Sequence, residues 1–170
     1  LPYDKLLLAT GCRPRALGLN GRVHPDIFYL RTLEESKALQ SRLACAKHLV
    51  VIGGGYLGLE IAATAALAGV KVTVLERGKR LLDRVTTTVI SQHIHDAHVN
   101  HGVKIQCEMT VTGLTFDQDR LKSVDCDGLS FPADITVIGI GAVPNDEIAQ
   151  QAGLACDDGI LVDESAQTSD

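Results

Sequence analysis

The sequence has 170 residues, with 16 Lys and Arg against 21 Asp and Glu, which gives a formal net charge of −5. Its hydrophobic fraction of 45% is high enough to build a core, which argues against a disordered chain. The acidic balance leaves no basic surface for nucleic acid, and an aromatic content of 4% disfavours a surface that stacks bases. We therefore expect a folded domain without a nucleic-acid partner.

The first part of the chain is predicted to contain a strand, a loop and a helix. Tyr3–Thr10 is an apolar run that is followed by a glycine, which is typical of a strand. The loop Cys12–Pro25 contains glycines and prolines, including Gly21, that break regular structure. A helix is predicted to begin at Thr32, because Thr32 and Glu35 have the spacing of a capping box and apolar residues follow at helical intervals.

The rest of the chain alternates between strands and helices and then turns into a meander. The predicted order is strand His48–Ile52, helix Tyr56–Ala68, strand Lys71–Leu75, helix Thr86–His101, strand Val103–Cys107, a hairpin of Thr110–Phe116 and Leu121–Cys126, a third meander strand from Phe131, a buried strand Asp134–Ile140, a loop Gly141–Asn145, helix Asp146–Ala152 and strand Gly159–Val162. The pattern predicts an α/β fold with a Rossmann-like parallel sheet, helices on both faces and an antiparallel three-stranded β-meander.

A glycine-rich turn lies between the strand His48–Ile52 and the helix that follows it. It matches G-x-G-x-x-G, and a strand before it and a helix after it are the context that a dinucleotide-binding turn requires. In such a turn, Gly53 allows the tight bend, Gly55 lets the backbone approach a pyrophosphate, and Gly58 lets helix and strand pack closely. The full string is Gly53-Gly54-Gly55-Tyr56-Leu57-Gly58.

An acidic residue completes this pattern. Glu76 lies 21 residues after Gly55, at the carboxyl end of the next predicted strand. A carboxylate in that position can accept hydrogen bonds from the ribose of a bound adenosine. The sequence therefore predicts a dinucleotide-binding site at this turn.

The same region has the length and composition of a membrane span. Leu49–Val70 contains a single charged residue, Glu60, and a G-x-x-x-G pattern. Three consecutive glycines, Gly53–Gly55, are unfavourable in a helix interior. The preceding run is short and β-branched, as in a buried strand. We therefore expect no membrane span.

Charged residues near the turn leave alternatives open. Glu60 is expected on the first turn of the helix, either in the site or as a surface glutamate favoured by the helix dipole. Arg84 belongs either to the site or to a solvated group of cations with Arg77, Lys79 and Arg80.

Cysteine and histidine side chains do not suggest a metal site. The five cysteines are scattered without a C-x-x-C pair, so we expect reduced thiols in a cytoplasmic protein. Several histidines share one predicted helix, but no carboxylate completes a tetrahedral set with them. The residues are Cys12, Cys45, Cys107, Cys126 and Cys156, and His93, His95, His98 and His101.

Several segments together resemble one family. Tyr3–Gly11 resembles the YDxLxxATG segment of two-dinucleotide flavoprotein reductases, and Val51–Glu60 resembles their NAD(P)H-binding turn. Asp134–Asn145 is similar to their later strand, which ends in Gly-x-Gly-x-x-Pro-Asn. Leu81–Thr86 narrows the resemblance to NADH-dependent, FAD-containing ferredoxin reductases of the putidaredoxin and rubredoxin reductase type, within the pyridine nucleotide-disulfide oxidoreductase superfamily.

The resemblance implies an oxidoreductase in which NADH delivers hydride to FAD, and FAD passes electrons to a ferredoxin- or rubredoxin-type iron–sulfur protein that serves an oxygenase. It implies that residues 1–45 are the end of a first FAD-domain segment plus a linker helix, 46–153 the NAD(H)-binding domain, and 154–170 the start of a second FAD-domain segment. Because the chain begins at Leu1 without a methionine, we expect it to be a piece of a longer protein. Since this sequence lacks the family's glycine-rich turn for FAD and its C-terminal segment that contacts the flavin, we expect the piece to be inactive by itself.

The resemblance also implies which residues contact the cofactors. NADH contacts are expected from Gly53, Gly54, Gly55, Tyr56, Leu57, Gly58, Glu60, Glu76, Arg77, Arg84, Ile140 and Gly141, and FAD contacts from Thr10, Gly11 and Arg15. No residue of this chain is expected to be catalytic. The alternatives are a non-catalytic or redox-sensing module similar to apoptosis-inducing factor, or a relative of nitrite reductases or NADH oxidases.

Overall fold

The computed structural model describes residues 2–19 and 24–170. The chain forms two compact units, one made of Ala16–Ile140 and the other of the described parts of Leu1–Arg15 and Gly141–Asp170. These bounds differ from those of the predicted domains, which stay a prediction. Gly21, which was predicted to interrupt regular structure in the first loop, lies outside the described residues.

The elements are numbered in chain order over the described residues. They are β1 (Cys12–Pro14), β2 (Ile27–Phe28), α1 (Leu33–Leu43), β3 (His48–Ile52), α2 (Tyr56–Leu67), β4 (Lys71–Leu75), α3 (Thr88–Asn100), β5 (Lys104–Gln106), β6 (Val111–Asp117), β7 (Arg120–Cys126), β8 (Leu129–Pro132), β9 (Ile135–Ile138), β10 (Ala142–Pro144) and α4 (Glu147–Gln151).

A five-stranded parallel sheet organises the larger unit. Its strand order is β2-β9-β3-β4-β5, so β3 pairs with β4 on one side and with β9 on the other. The predicted β3–α2–β4 unit and the interior position of β9 are confirmed. Because the strands are parallel, the segments that follow β3, β4 and β9 leave the sheet at the same edge.

The two faces of this sheet are covered by different elements. Val51 belongs to one core cluster, which contains Leu39 of α1 and Ile61 of α2 and against which a residue of α3 packs. Val50 points to the other face, as alternation along a strand requires, and packs with Val124 of the meander. The prediction of helices on both faces is therefore corrected, because in the described residues the apolar face of the meander covers the second face.

The meander β6-β7-β8 is confirmed as a separate antiparallel sheet. Its first turn is shorter than predicted, because Asp117 pairs with Arg120 and extends both strands. The two residues left between them, Gln118 and Asp119, have φ angles of 44° and 63°. Two successive left-handed residues match the right-handed twist of a hairpin.

Threonine N-caps mark where helices α1 and α3 begin. Thr32 Oγ1 accepts a hydrogen bond from the Glu35 N–H at 3.2 Å, and Glu35 Oε2 accepts one from the Thr32 N–H at 2.9 Å. The predicted capping box of α1 is thus confirmed. Helix α3 begins at Thr88, two residues later than predicted, because Thr87 is its N-cap and accepts from the Ile90 N–H.

Three segments differ from the prediction because strand pairing depends on distant partners. Tyr3–Thr10 forms no strand, and Leu7 within it is 86% exposed. Gly159–Val162 contributes a single bridge instead of a strand. Ala142–Pro144, predicted as loop, forms β10 and pairs with β1. An apolar run becomes a strand only where another segment supplies its hydrogen bonds, and within the described ranges Tyr3–Thr10 has no such neighbour.

A buried carboxylate connects β2 to α1 and to β7. Asp26 is 1% exposed. Its Oδ1 pairs with the Arg42 guanidinium, and its Oδ2 accepts from the Leu121 N–H at 3.1 Å and lies 3.4 Å from Arg120 Nε. Sequence analysis missed this cluster, because Arg42 lies 16 residues and Leu121 lies 95 residues from Asp26, so the cluster leaves no local pattern.

We expect Asp26→Ala to lower the free energy of unfolding by about 2–3 kcal/mol, because it leaves a buried N–H and a guanidinium without their acceptor. Urea unfolding followed by circular dichroism measures this. Asp117→Ala, which removes an exposed carboxylate from the same hairpin, is the matched control and should cost less than about 0.5 kcal/mol. Equal effects of the two substitutions would contradict the role of Asp26.

Candidate functional site

The turn between β3 and α2 is a sharp bend that only glycine permits at its first position. Gly53 has a φ of 107°, and its N–H donates to the Leu75 carbonyl at 2.8 Å. A Cβ there would overlap the carbonyl oxygen of Gly139, which follows β9. Gly139 was not predicted as a site residue, although its position in Gly139-x-Gly141 was a signal for such a close approach.

The third glycine of the motif sets the distance between α2 and β3. Gly58 is buried, and a Cβ on it would overlap the Gly53 carbonyl oxygen and lie 3.1 Å from Val51 Cγ1. The backbone of the helix therefore rests directly on the end of the strand. Gly58 has the packing position that the motif predicts.

The middle glycine faces open space. Gly55 is the N-cap of α2 and has an extended backbone, with φ −84° and ψ 178°. It has no side chain to cap the helix, and a Cβ added to it would meet no atom within 4 Å. The first hydrogen bond of the helix runs from the Leu59 N–H to the Gly55 carbonyl, so earlier amide groups are left for another acceptor. This open, positively polarised helix end can bind an anion.

Glu76 lies beside the turn, directly after β4. Its half-buried carboxylate accepts from the Gly54 N–H at 2.6 Å and from the Gly78 N–H at 2.5 Å. Each carboxylate oxygen retains a further lone pair. Glu76 thus fixes the glycine turn and still has capacity to accept hydroxyl groups.

The cations after β4 have different environments. Arg80 is bound within its own loop, with Nε 2.7 Å from Asp83 Oδ1. Arg77, Lys79 and Arg84 are exposed and have no hydrogen-bond or ion-pair partner among the described residues. The sequence grouped these cations together, whereas the structure leaves Arg77 and Arg84 available to a ligand and engages Arg80.

The other predicted residues of the larger unit lie on α2 and after β9. Tyr56 is 59% and Leu57 37% exposed, although both are large and apolar. Glu60 is exposed but lies in the second turn of α2, not in the first as predicted, because the helix begins at Tyr56. Ile140 is partly buried against the second core cluster.

The predicted residues of the smaller unit lie on and around the β1–β10 ribbon. Asn145 joins its ends, since its Nδ2 donates to the Thr10 carbonyl and its N–H donates to the Gly11 carbonyl, both at 2.9 Å. The Arg15 N–H donates to the Gly141 carbonyl at 2.9 Å. The structure thus brings Thr10, Gly11, Arg15 and Gly141 together around a ribbon that the sequence did not predict.

Comparison with known proteins decides the family. The family model described as pyridine nucleotide-disulphide oxidoreductase matches residues 1–170. The chain belongs to this family. It is 45% identical to putidaredoxin reductase of Pseudomonas putida and 42% identical to rhodocoxin reductase of Rhodococcus erythropolis, each over 100% of this chain. The matches cover 42% and 40% of those relatives, so the chain spans about two fifths of their length.

A solved structure gives the same result. This pyridine nucleotide-disulphide oxidoreductase chain matches the crystal structure of the covalent putidaredoxin reductase–putidaredoxin complex with a TM-score of 0.95 at 43% identity. The match covers 100% of this chain and 42% of that one. The predicted family is confirmed, whereas the contacts of individual residues with cofactors stay predictions.

The thiols of this pyridine nucleotide-disulphide oxidoreductase chain are unpaired. All five cysteines are free. Burial raises the pKa of the Cys126 thiol to about 11. Burial, and then the charge of Glu76, raise the pKa of Cys107. Both thiols are therefore protonated at neutral pH and are poor nucleophiles.

One histidine of α3, His98, contacts the neighbouring helix α2. His98 Nε2 lies 3.2 Å from the Leu59 carbonyl of α2, and its Nδ1 lies 2.8 Å from the Ile94 carbonyl. Over residues 2–19 and 24–170, no group of three or more His, Cys, Asp or Glu side chains is placed to hold a metal ion. In the same ranges no helix has the length and apolar character needed to cross a membrane.

Alanine substitutions at Gly58 and Gly55 distinguish a glycine that is required for close packing from one that borders open space. We expect Gly58→Ala to lower the free energy of unfolding by about 2–3 kcal/mol, since its Cβ overlaps a backbone oxygen. Gly55→Ala should cost less than about 1 kcal/mol, because the site is open and only the N-cap preference changes. Urea unfolding of both variants measures the difference, and similar losses would show that Gly58 is not a close-packing position.

Proposed function

We propose that this chain is the NADH-binding part of a flavoprotein reductase, which passes electrons from NADH through FAD to a ferredoxin- or rubredoxin-type iron–sulfur protein that serves an oxygenase. The names of the relatives support this proposal, because they are reductases of putidaredoxin and rhodocoxin. Another relative is named as the ferredoxin–NAD(+) reductase component of an anthranilate 1,2-dioxygenase system, from Burkholderia cepacia.

The observation that carries the proposal is the open helix end at Gly55 beside the Glu76 carboxylate. A Cβ at Gly55 would fill space that no described atom occupies, and the α2 amides next to it lack acceptors. A pyrophosphate fits this position, because backbone N–H groups and the helix dipole both favour its charge. Glu76, fixed on the adjacent strand end, is then placed to accept hydroxyl groups of the adenosine ribose.

The remaining residues are assigned around this centre. Arg77 and Arg84 are exposed cations on the loop after Glu76, and we assign them to the adenosine and phosphate part of NADH. The other residues assigned to NADH are Tyr56, Leu57, Glu60, Ile140 and Gly141, with Glu60 near the nicotinamide.

The proposal assigns the FAD contacts to the smaller unit. Thr10, Gly11 and Arg15 are exposed, so a bound FAD can reach them. FAD, when bound, accepts hydride from NADH and releases electrons one at a time. In this proposal the residues of this chain hold and orient the two nucleotides, and none is assigned a catalytic role.

The domain assignment and the compartment belong to the same proposal. Residues 46–153 form the NAD(H)-binding domain, with FAD-domain segments in 1–45 and 154–170. Five free cysteines support a cytoplasmic location, where thiols stay reduced.

The proposal is tested by electron transfer in the full-length protein. NADH should reduce a ferredoxin, followed by its visible absorbance, and the rate should exceed that with oxygen or nitrite as acceptor. Tight NADH binding without ferredoxin reduction would indicate a redox-sensing module instead. Faster reduction of oxygen or nitrite would indicate an NADH oxidase or a nitrite reductase.

Gly55→Val should abolish NADH binding while the protein remains folded. The larger side chain occupies the open space at the helix end, where the pyrophosphate meets the backbone. Titration calorimetry with NADH measures the loss, and circular dichroism verifies folding. Undiminished affinity would mean that the nucleotide does not use this turn.

We expect the full-length enzyme to prefer NADH over NADPH by about two to three orders of magnitude in kcat/KM. A 2′-phosphate about 4 Å from the Glu76 carboxylate would be repelled by about 4 kcal/mol at an effective dielectric of 20, and solvent relaxation removes part of this.

Glu76→Ala should reduce the preference for NADH over NADPH. It weakens NADH binding by removing the acceptor for the ribose, and it removes the repulsion between Glu76 and the 2′-phosphate of NADPH. Because Glu76 also holds the Gly54 amide, both affinities can fall, so the NADH/NADPH ratio is the informative quantity. Glu108→Ala, which removes an exposed carboxylate after the next strand, is the control and should leave the ratio unchanged. An unchanged ratio in Glu76→Ala would show that Glu76 does not set the choice.

A further inference from the structure

The loop between β4 and α3 is attached to the glycine turn. The Leu82 N–H donates to the Gly54 carbonyl at 3.0 Å. Leu81 is fully buried, and its Cδ2 would lie 2.6 Å from a Cβ on Gly54. Because Glu76 accepts from the Gly54 N–H, the backbone N–H and the backbone carbonyl of Gly54 are both held by the segment that follows β4. The orientation of the turn therefore depends on the shape of this loop.

Leu82 occupies an unfavourable backbone conformation. Its φ is 53°, in the left-handed region, and its side chain is 4% exposed. Its carbonyl accepts from the Val85 N–H at 3.0 Å and from the Thr86 N–H at 3.1 Å. A non-glycine residue persists in this region only where its surroundings hold it. The turn formed by residues 82–86 supplies part of that support.

The Arg80 guanidinium spans the same turn. Its Nε lies 2.7 Å from Asp83 Oδ1, its Nη2 donates to the Asp83 carbonyl at 2.8 Å, and its Nη1 donates to the Thr86 carbonyl at 3.1 Å. Three nitrogens of one rigid plane thus bind three acceptors, which fixes the separation of residues 83 and 86. Lys79, the neighbouring cation, has no such partner within the described chain.

We propose that Arg80 is a positioning residue for nucleotide binding: by bracing residues 83–86 it holds Leu82 in place, and through the Leu82–Gly54 hydrogen bond it sets the glycine turn in its binding orientation. This inference rests on the proposed function, since the ligand of the turn is NADH. Arg80 acts on the adenosine and pyrophosphate part of NADH, because Gly54 and Glu76 belong to that part of the site. It contacts no reacting atom.

The test uses the full-length reductase and steady-state kinetics with three variants. Arg80→Met removes the three donors and keeps an unbranched side chain, and Arg80→Lys restores the charge without the planar fork. Lys79→Met is the matched control, because it removes the same charge from the adjacent position. ADP-ribose, which lacks the nicotinamide, is the probe for the adenosine part and is measured as a competitive inhibitor against NADH.

We expect Arg80→Met to raise the KM for NADH about tenfold, which corresponds to about 1.4 kcal/mol, with kcat within about twofold. The inhibition constant of ADP-ribose should rise in parallel. Arg80→Lys should recover only part of the loss, since one ammonium cannot reach three separated acceptors. Lys79→Met should leave both constants unchanged.

Each other outcome is decisive. Wild-type values of KM and of the ADP-ribose constant in a folded Arg80→Met protein would overturn the positioning role, although the proposed function would stand. Equal losses in Lys79→Met would assign the effect to charge alone and would also overturn it. Complete recovery in Arg80→Lys would likewise overturn the proposal, because the bracing depends on three separated donors that an ammonium lacks. If the unmodified reductase binds neither NADH nor ADP-ribose, the proposed function itself fails.

If Arg80→Met does not fold, Asp83→Asn takes its place, because it keeps the guanidinium and weakens one of its three contacts. It should raise KM and the ADP-ribose constant by about threefold without changing kcat. No change in either constant would contradict the proposal in the same way.

Discussion

The close approach of helix α2 to strand β3 is the contact on which the candidate site depends. Gly58 lies against the Gly53 carbonyl and the Val51 side chain, at a separation that leaves no room for a Cβ. This contact brings the first turn of α2 over the carboxyl end of β3, so the unbonded amides of the helix open at the edge of the sheet. The anion-binding capacity of the turn therefore comes from backbone packing and requires no charged side chain.

A single carboxylate then has two tasks. Glu76 holds the Gly54 and Gly78 amides, and its charge lies where the ribose of a dinucleotide is expected. The first task fixes the shape of the turn, and under the proposed function the second would influence which nucleotide the turn accepts. In that proposal one group couples shape to selectivity, and the neighbouring loop supports the same turn through Leu82.

Both faces of the parallel sheet are covered where it carries the glycine turn. Val50 and Val51 are fully buried in different clusters, one shared with the meander and one with the helices. Parallel strands normally need cover on both faces, and the meander supplies here what a second layer of helices supplies in other α/β proteins. The strand that carries the glycine turn is consequently fixed from both sides.

The sequence by itself determined the β3–turn–α2–β4 unit, the acid at residue 76, the capping box at Thr32 and the meander. Each of these rests on a local signal: glycines at fixed spacing, a β-branched run, a polar cap or alternation along a hairpin. Local signals suffice because the hydrogen bonds and side-chain periods involved span only a few residues.

Only the tertiary structure decided the elements that depend on distant partners. Examples are the β1–β10 pairing, the edge strand β2, the Asp26 cluster and the meander that covers the second face of the sheet. Another is the difference between Arg77, which is exposed, and Arg80, which pairs with Asp83. Pairing across about 130 residues is set by where the chain returns after folding, not by the composition of either segment. Arg77 and Arg80 are likewise the same residue type in the sequence, and they differ only in the hydrogen-bond acceptors that the fold brings within reach of each.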